Sequence, residues 1–248
     1  MKKILLVFAF CLPLFVFGQS TEKRNLDKFS EVSVSQSIKL TLVKGNKNQA
    51  VVSTEGELEK VITEVDGDRL IVKIENKNSW YNNSNDKVEV EVTYTEELTE
   101  LKSSSSSTLT VEGVIESNSL EAKASSSSSM YFNAKVNSAD IAASSSASIK
   151  ASVQANELEA QVSSSATIKL SGSANSLEAS ASSSGDIKGK DFVANVASLK
   201  SSSSGSIYAE VKDELTASAS SSGSVYYGGS PKLRNTNTSS GGRIKTLD

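Results

Sequence analysis

Acidic side chains recur at nearly constant intervals along this 248-residue chain, and their chemistry could make a site. Five of them, separated by 19 to 21 residues, are Glu100, Glu121, Asp140, Glu159 and Glu178. Carboxylates gathered on one face could bind calcium, a hard cation that prefers oxygen ligands. The alternative is a solvated charged face, in which neighbouring lysines and salt screening offset the repulsion between like charges. The neighbouring lysines are Lys102, Lys123 and Lys200. Calcium is therefore a hypothesis, and no other metal or cofactor is expected.

A second series with the same interval carries tyrosines and lysines. Its members are Thr110, Tyr131, Lys150, Lys169, Lys188, Tyr208, Tyr226 and Lys245. Such residues could bind a polysaccharide, with aromatic rings against sugar faces and lysines against acidic groups. The alternative is ordinary strand decoration, since tyrosine favours strands. Trp80, the only tryptophan, lies with Tyr81 in the polar segment NKNSWYNNSND and is a separate binding candidate.

The chain lacks the usual apparatus of catalysis. It contains no histidine, the side chain that most often transfers protons near neutral pH. Polysaccharide hydrolases need two carboxylates close together across a cleft, whereas here the acids recur once per interval and no long insertion builds a cleft. A net charge of −3 and the lack of a motif argue against a nucleic-acid partner. We therefore expect a non-enzyme, with a polysaccharide-active β-helix enzyme as an alternative.

Serine triplets mark the repeat that would position these side chains. The residues directly after the triplets, separated by 18 to 21 residues, are Ser107, Ser128, Ala147, Ala166, Gly185, Gly205, Gly223 and Gly242. An apolar residue stands two positions further on in every repeat, and apolar residues alternate with polar ones on both sides of the triplet. Alternation predicts strands with one buried face, and a fixed short period predicts stacked repeats. The pattern predicts an all-β solenoid of about 19-residue coils, too short for βαβ units.

Simple alternation gives the middle serine of each triplet the same parity as the buried residues. These serines are Ser105, Ser126, Ser145, Ser164, Ser183, Ser203, Ser221 and Ser240. Stacked hydroxyl groups can donate to one neighbour and accept from another, which satisfies them inside a protein. We therefore predict a structural serine ladder along the interior. The small residue that follows leaves room for a corner, and Gly permits positive φ there.

Residues 19–100 predict a strand-rich N-terminal part that merges with the repeats of 101–248 into one continuous domain. Residues 38–54 resemble two strands around a turn, 61–75 a hairpin turning at Asp66-Gly67, and 87–94 one further strand. This part would cap the first coil, because an open solenoid end exposes unpaired backbone groups. The last coil ends in RIKTLD without an evident cap.

The first 18 residues have the pattern of a secretory signal peptide. Lys2 and Lys3 precede an apolar run at 4–17, and we predict cleavage between Gly18 and Gln19. The run is shorter than the roughly 20 residues of a transmembrane helix. Cys11, the only cysteine, follows a large Phe10 and does not suit a lipoprotein signal. We expect export to the periplasm, the outer surface or the exterior, with no membrane span after signal removal.

Taken together, the signal peptide, the segment FSEVSVSQSIKLTLVKG and the serial SSSG-type coils resemble the auto-transporter adhesin family with a head GIN domain. The resemblance covers about residues 25 to 248 and concerns exported bacterial proteins of the Bacteroidetes. It implies a single-stranded, right-handed parallel β-helix and brings no catalytic residues. A binding scaffold that recognises a glycan or protein at the cell envelope is the function it implies. A purely structural envelope protein is the alternative, and the oligomeric state stays open.

Overall fold

The computed structural model describes residues 20–75 and 87–247. The predicted segments at 1–19, with the cleavage site Gly18–Gln19, and at 76–86, with Trp80, lie outside the described residues. A single sheet of parallel and antiparallel pairings joins all the strands. In chain order they are β1 (Ser20–Asn25), β2 (Glu31–Val34), β3 (Lys39–Lys44), β4 (Gln49–Thr54), β5 (Val61–Asp66), β6 (Arg69–Ile74), β7 (Val88–Tyr94), β8 (Glu100–Ser103), β9 (Thr108–Ala124), β10 (Ser129–Ala143), β11 (Ser148–Val162), β12 (Thr167–Ala181), β13 (Asp186–Ser201), β14 (Ser206–Ala219), β15 (Ser224–Gly228), β16 (Leu233–Thr238) and β17 (Arg243–Thr246). One 3-10 helix spans Leu58–Lys60.

The predicted β-solenoid is confirmed. Strands β9 to β14 stack in parallel on their sequence neighbours, and each residue lies opposite the residue about 19 positions away. The apolar column three residues after each triplet is buried at no more than 1% exposure in seven coils. Its members are Leu109, Met130, Ile149, Ile168, Ile187, Ile207 and Val225. Stacking equivalent side chains therefore builds one continuous core along the axis.

The serine triplets form corners, but the prediction that their middle serine points inward is wrong. All eight middle serines are exposed: Ser105, Ser126, Ser145, Ser164, Ser183, Ser203, Ser221 and Ser240. Each has a φ between 46° and 53°, and in seven coils the third residue of the triplet, a serine, also has a positive φ. Two successive left-handed residues reverse the chain direction and interrupt the alternation from which the inward parity was predicted.

A ladder does run through the corners, and it is made of backbone groups. The N–H of the third serine in each triplet donates to the carbonyl of the middle serine in the next coil, as Ser146 does to Ser164 at 3.0 Å. The inward hydroxyls belong to other serines. In the first coils Ser107 Oγ lies 3.0 Å from Ser103 Oγ, and Ser128 Oγ donates to the Ser103 carbonyl at 2.8 Å. In later coils the position of Ser107 and Ser128 is Ala or Gly, and the buried Ser201 Oγ donates to the Gly205 carbonyl at 2.7 Å.

The opposite corner of the coil carries an asparagine ladder that the sequence analysis missed. Asn156 Nδ2 donates to Asn137 Oδ1 at 2.7 Å, Asn175 Nδ2 to Asn156 Oδ1 at 2.8 Å, and Asn195 Nδ2 to Asn175 Oδ1 at 3.0 Å. An asparagine stands ten residues before the residue that follows the triplet in five of the eight repeats, so the signal was visible in the sequence. Asparagine suits a stacked corner because its amide both donates and accepts.

We predict that Asn156→Asp destabilises the protein by about 0.5–1.5 kcal/mol at pH 7, the net worth of a typical hydrogen bond. A carboxylate at this position cannot donate to Asn137 Oδ1, although it can still accept from Asn175. Urea unfolding of the variant and of Asn237→Asp, in the exposed last coil, would measure the difference. Equal stability of the two variants would show that the ladder contributes nothing.

The N-terminal strands begin the stack and close its end. β2 and β3 form a first coil around a corner at Gln36 and Ser37, which also have positive φ, and they pair in parallel with β8 and β9. The predicted hairpin is β5–β6, with its turn at Gly67 and Asp68. β3 and β4 both exist but do not pair, since β7 lies between them. β1 covers β4 as an antiparallel edge.

The last described coil carries polar residues at positions that are apolar in the coils before it. Its inward positions carry Arg234, Thr236 and Thr238, which pair with the strand segment of the buried Leu215, Ala217 and Ala219. All three polar residues are exposed, and Arg234 Nη1 lies 3.2 Å from Tyr227 Oη. A polar outer face of this kind is what the terminal repeats of solenoids require.

Candidate binding faces

Each coil presents two outward faces, one from the strand segment after the serine corner and one from the segment before it. The tyrosine–lysine column stands on the first face, and its predicted members lie in register. They run as Thr110, Tyr131, Lys150, Lys169, Lys188, Tyr208, Tyr226 and Lys245. Equivalent residues of adjacent coils are therefore about 4.8 Å apart at the backbone.

Lys150, Lys169 and Lys188 form the lysine row in the middle of this column, on three consecutive coils. All three are exposed. Within the described part of the chain, Lys150 and Lys169 have no ion-pair partner, and Lys188 lies 3.8 Å from Asp186. Adjacent ammonium groups repel one another, and a bound anion would relieve this repulsion.

The tyrosines beside the row are less available to sugars than the sequence suggested. The rings of Tyr208 and Tyr226 stack on each other, with centroids 4.7 Å apart and planes 8° from parallel. Lys190 Nζ lies over the Tyr208 ring, 5.6 Å from its centroid. Each ring thus has a face covered by protein, because stacking along the axis turns ring faces towards neighbouring coils. Burial, followed by the nearness of Tyr226 and Asp186, raises the pKa of Tyr208. Tyr131, beside Lys150, stays 42% exposed.

A bulge in β13 places additional side chains beside the lysine row. The register between β12 and β13 shifts between Lys169 and Ser171, and Phe192 turns inward to complete burial. Lys190 and Asp191 project outward as a result. With the lysine row they line a shallow depression of about 350 Å³, together with Ala151, Leu170 and Ser171. The interval between Gly185 and Gly205 is 20 residues, one more than the usual coil of about 19, because it includes the extra residue of the bulge.

The acidic column stands on the second face, also in register as predicted. It begins with Glu31 and continues through Glu100, Glu121, Asp140, Glu159 and Glu178. The described residues include no group of three or more acidic, histidine or cysteine side chains that could hold a metal ion. The geometry therefore gives the calcium hypothesis no support.

Basic residues neutralise much of the negative charge of the acidic column, as expected for a solvated charged face. Arg69 Nη2 lies 2.6 Å from Glu31 Oε2 and 3.0 Å from Glu100 Oε2. Lys102 pairs with Glu100, Lys123 with Glu121, and Lys200 with Glu178 at 2.9 Å. Burial alone would raise the pKa of Glu100, but the hydrogen bond and charge of Lys102 and the charge of Arg69 hold that pKa below its ordinary value.

Asp140 is an acidic residue whose ionised form is disfavoured by the folded state. Burial raises its pKa above the ordinary 3.8, the charge of Glu159 adds to the rise, and Lys123 opposes it. The folded state therefore disfavours the carboxylate, and this cost applies at pH values above the raised pKa. It disappears as the pH falls through that pKa towards 3.8.

We predict that Asp140→Asn raises the melting temperature slightly at pH 7 and leaves it unchanged at pH 3. The amide removes the cost of burying a charge near Glu159, and at pH 3 the native carboxyl is already neutral. Thermal melts at both pH values would measure this, with exposed Asp213→Asn as the control. A lower melting temperature at pH 7 would show that Asp140 has a favourable partner.

Two larger hollows lie on the second face. One, of about 580 Å³, follows the acidic column, and the other, of about 540 Å³, follows the serine corners. The latter is lined mainly by short serine and alanine side chains, and its two lysines, Lys102 and Lys123, are already paired with Glu100 and Glu121. Free positive charge therefore distinguishes the smaller depression at the lysine row.

Known structures share this architecture. A "putative adhesin" of Parabacteroides merdae superposes with a TM-score of 0.85 at 19% identity, over 93% of this chain and 96% of that chain. A "putative lipid binding protein" of Parabacteroides distasonis gives 0.81 at 19% identity, over 93% and 97%. A "putative adhesin" of the latter species gives 0.84 at 18%, also over 93% and 97%. At such identities the likeness establishes the fold alone.

Further comparisons concern sequence and membrane spans. No curated protein matches the chain. In the part of the chain that the structure describes, no helix is long and apolar enough to cross a membrane. The family model described as "Putative auto-transporter adhesin, head GIN domain" matches residues 28–231, more than half of the chain. The chain belongs to this adhesin family, as the serial serine corners and the N-terminal strands indicated.

Proposed function

We propose that this protein is an exported, non-catalytic binding scaffold that recognises a glycan at the cell envelope through the tyrosine–lysine column. Its family and its structural neighbours are named as adhesins or lipid-binding proteins, which supports a binding role. The main support for the proposal is the lysine row, in which Lys150 and Lys169 have no ion-pair partner among the described residues. A regular row of unpaired charges destabilises the solenoid through mutual repulsion. The same charges are available to bind an oppositely charged ligand.

The regular geometry of the face supports this role. A column of side chains at the coil spacing presents repeated contacts to a polymer that itself repeats, and many weak contacts then sum. The backbone behind the column is fixed by parallel pairing on both sides, so binding requires little ordering of the protein. An enzymatic function has less support. The acids of the second face occur once per coil and are largely paired with basic residues.

Export is part of the proposal and rests on the N-terminal residues. Residues 1–18 carry the signal pattern, and the mature chain would begin at Gln19. Mass spectrometry of the protein expressed with its N-terminus in a Bacteroidetes host would give the mature end. Fractionation of the same cells would separate the periplasmic, outer-surface and extracellular alternatives. An uncleaved chain retained in the cytoplasm would contradict export.

A glycan-array screen of residues 19–248, run with calcium and with chelator, tests the function. We expect a hit that is independent of calcium and is lost in the triple variant Lys150→Gln, Lys169→Gln, Lys188→Gln. The triple variant Lys102→Gln, Lys123→Gln, Lys200→Gln on the second face is the matched control and should bind normally. No hit in either buffer would contradict glycan recognition and favour the purely structural envelope protein.

A further inference from the structure

We infer that the ligand of the tyrosine–lysine column is a linear acidic polysaccharide that lies along the solenoid axis, with its anionic groups on Lys150, Lys169, Lys188 and Lys190. The inference rests on the proposed glycan-binding function and specifies the class and orientation of the glycan. Its basis is the depression beside the β13 bulge, where four lysines of adjacent coils meet.

The charge of the depression selects an anion. Four lysines line it, and the acids near them are Asp191 in the lining and Asp186 at 3.8 Å from Lys188. The lysines of the row are one coil, about 4.8 Å, apart at the backbone. Ammonium groups held as close as this would repel by about 1 kcal/mol even in water. A ligand with several anionic groups relieves this repulsion at each contact, whereas a neutral sugar relieves none.

The tyrosine geometry points the same way. A neutral polysaccharide is held mainly by aromatic faces, and the facing surfaces of Tyr208 and Tyr226 are occupied by each other. Lys190 lies over the Tyr208 ring as well. Apart from the outer face of Tyr226, the pair offers ring edges and hydroxyl groups, and the hydroxyl groups can donate hydrogen bonds to hydroxyl or acid oxygens. Charge and hydrogen bonding therefore carry recognition, and Tyr131 contributes the most exposed ring.

The orientation follows from the distribution of charge across the face. The neighbours of the lysine row towards the serine corner are Ser148, Thr167 and Asp186, and those on the other side are Ser152, Ser171 and Lys190. Lys190 is the one basic residue among these six flanking positions, whereas basic residues follow one another along the axis. A polymer that crossed the face along a strand would meet one lysine, or two in the coil of Lys188, and a polymer that follows the axis meets the entire row.

The bulge supplies the strongest single contact. Lys190 belongs to the residues that the register shift displaces outward, so it adds a fourth ammonium group beside Lys169 and Lys188. An acid group in the depression can thus contact the lysine row on the sheet and Lys190 at the bulge. We expect this position to anchor the chain, with the remaining contacts extending along the column.

Titration calorimetry with the mature protein tests the inference directly. The probes are oligogalacturonates from disaccharide to octasaccharide, a matched series with methyl-esterified carboxyl groups, and sulfated chondroitin oligosaccharides. We expect the acidic probes to bind with an affinity that rises with length and then levels off once the oligomer spans the four lysine contacts. The esterified series should bind at least tenfold more weakly. The two acidic series distinguish carboxylate from sulfate recognition.

Single variants locate the contact. Lys169→Gln and Lys190→Gln should each lower affinity for the acidic oligomers at least fivefold, with the charge-retaining Lys190→Arg close to wild type. Lys123→Gln and Lys200→Gln, which remove the same charge from the second face, should have no effect. Circular dichroism of each variant would show that the fold is retained.

Three outcomes would overturn the inference, and they differ from failure of the proposed function. Equal binding of the esterified series, unaffected by the lysine variants, would leave glycan recognition standing and remove its acidic specificity. Equal affinity for single-stranded DNA of similar charge would show unselective polyanion attraction. Loss of binding in the second-face controls would place the site elsewhere. A glycan array without any hit would instead contradict the proposed function itself.

Discussion

Replacing Phe192 with alanine is expected to lower the free energy of unfolding by about 3–5 kcal/mol, the usual cost of removing a buried aromatic side chain. Phe192 is completely buried. It lies opposite Gly172 in the pairing of β12 with β13, and its Cβ would be 3.4 Å from a Cβ added at Gly189. The Phe192 side chain therefore packs directly beside Gly189, a position without a side chain.

The conservative variant separates cavity formation from general damage to the bulge. Phe192→Leu keeps most of the volume, and we expect a cost clearly below that of Phe192→Ala. Urea unfolding followed by circular dichroism gives both values. A loss of under 1 kcal/mol in Phe192→Ala would mean that the bulge closes over the gap, and the depression at Lys190 would then be expected to change shape as well.

Replacing Gly223 with alanine is expected to destabilise the protein by about 1–3 kcal/mol, the range of an overpacked site. A Cβ at this position would lie 2.6 Å from the carbonyl carbon and oxygen of Ser201 and 2.7 Å from the N of Ser202. All three contacts are backbone atoms of the preceding coil, and they cannot rotate away as a side chain could. The corner backbone would have to shift.

Ala166, which follows the triplet in an earlier coil, provides the matched control. It is 1% exposed, so its own corner accommodates the methyl group that Gly223 lacks. Ala166→Gly should cost about 1 kcal/mol through lost burial and added backbone entropy in the unfolded chain. Hydrogen exchange should show the Gly223→Ala damage concentrated around residues 201–224. Stability unchanged from wild type in Gly223→Ala would show that coil spacing at the corner is not restrictive.

Much of the fold could be predicted because its signals are local. The buried column from Leu109 to Val225 follows from two-residue alternation, and the coil length follows from the triplets. The N-terminal hairpin was recognisable from a glycine turn. The order of β3, β7 and β4 was not, since it depends on which distant strands pair. The asparagine ladder was overlooked although its recurrence is visible.

The candidate site also has parts that could be predicted from the sequence and parts that could not. Register placed Lys150, Lys169 and Lys188 in one column, as the spacing predicted. Ring orientation at Tyr208 and Tyr226 depends on side-chain packing between coils, which spacing does not report. The outward displacement of Lys190 depends on where one extra residue is accommodated. The inward serine ladder was wrong because alternation was carried through two residues whose positive φ breaks it.

The backbone ladder through the serine corners has a consequence for proteolysis. Proteases cut most proteins at exposed loops, where a segment can detach and extend into the enzyme. Here the exposed part of each corner comprises two residues, and their amide and carbonyl groups join the coils above and below. Cleavage at one corner would require separating two stacked coils. These exposed corner serines are thus expected to be among the most digestion-resistant positions of the protein.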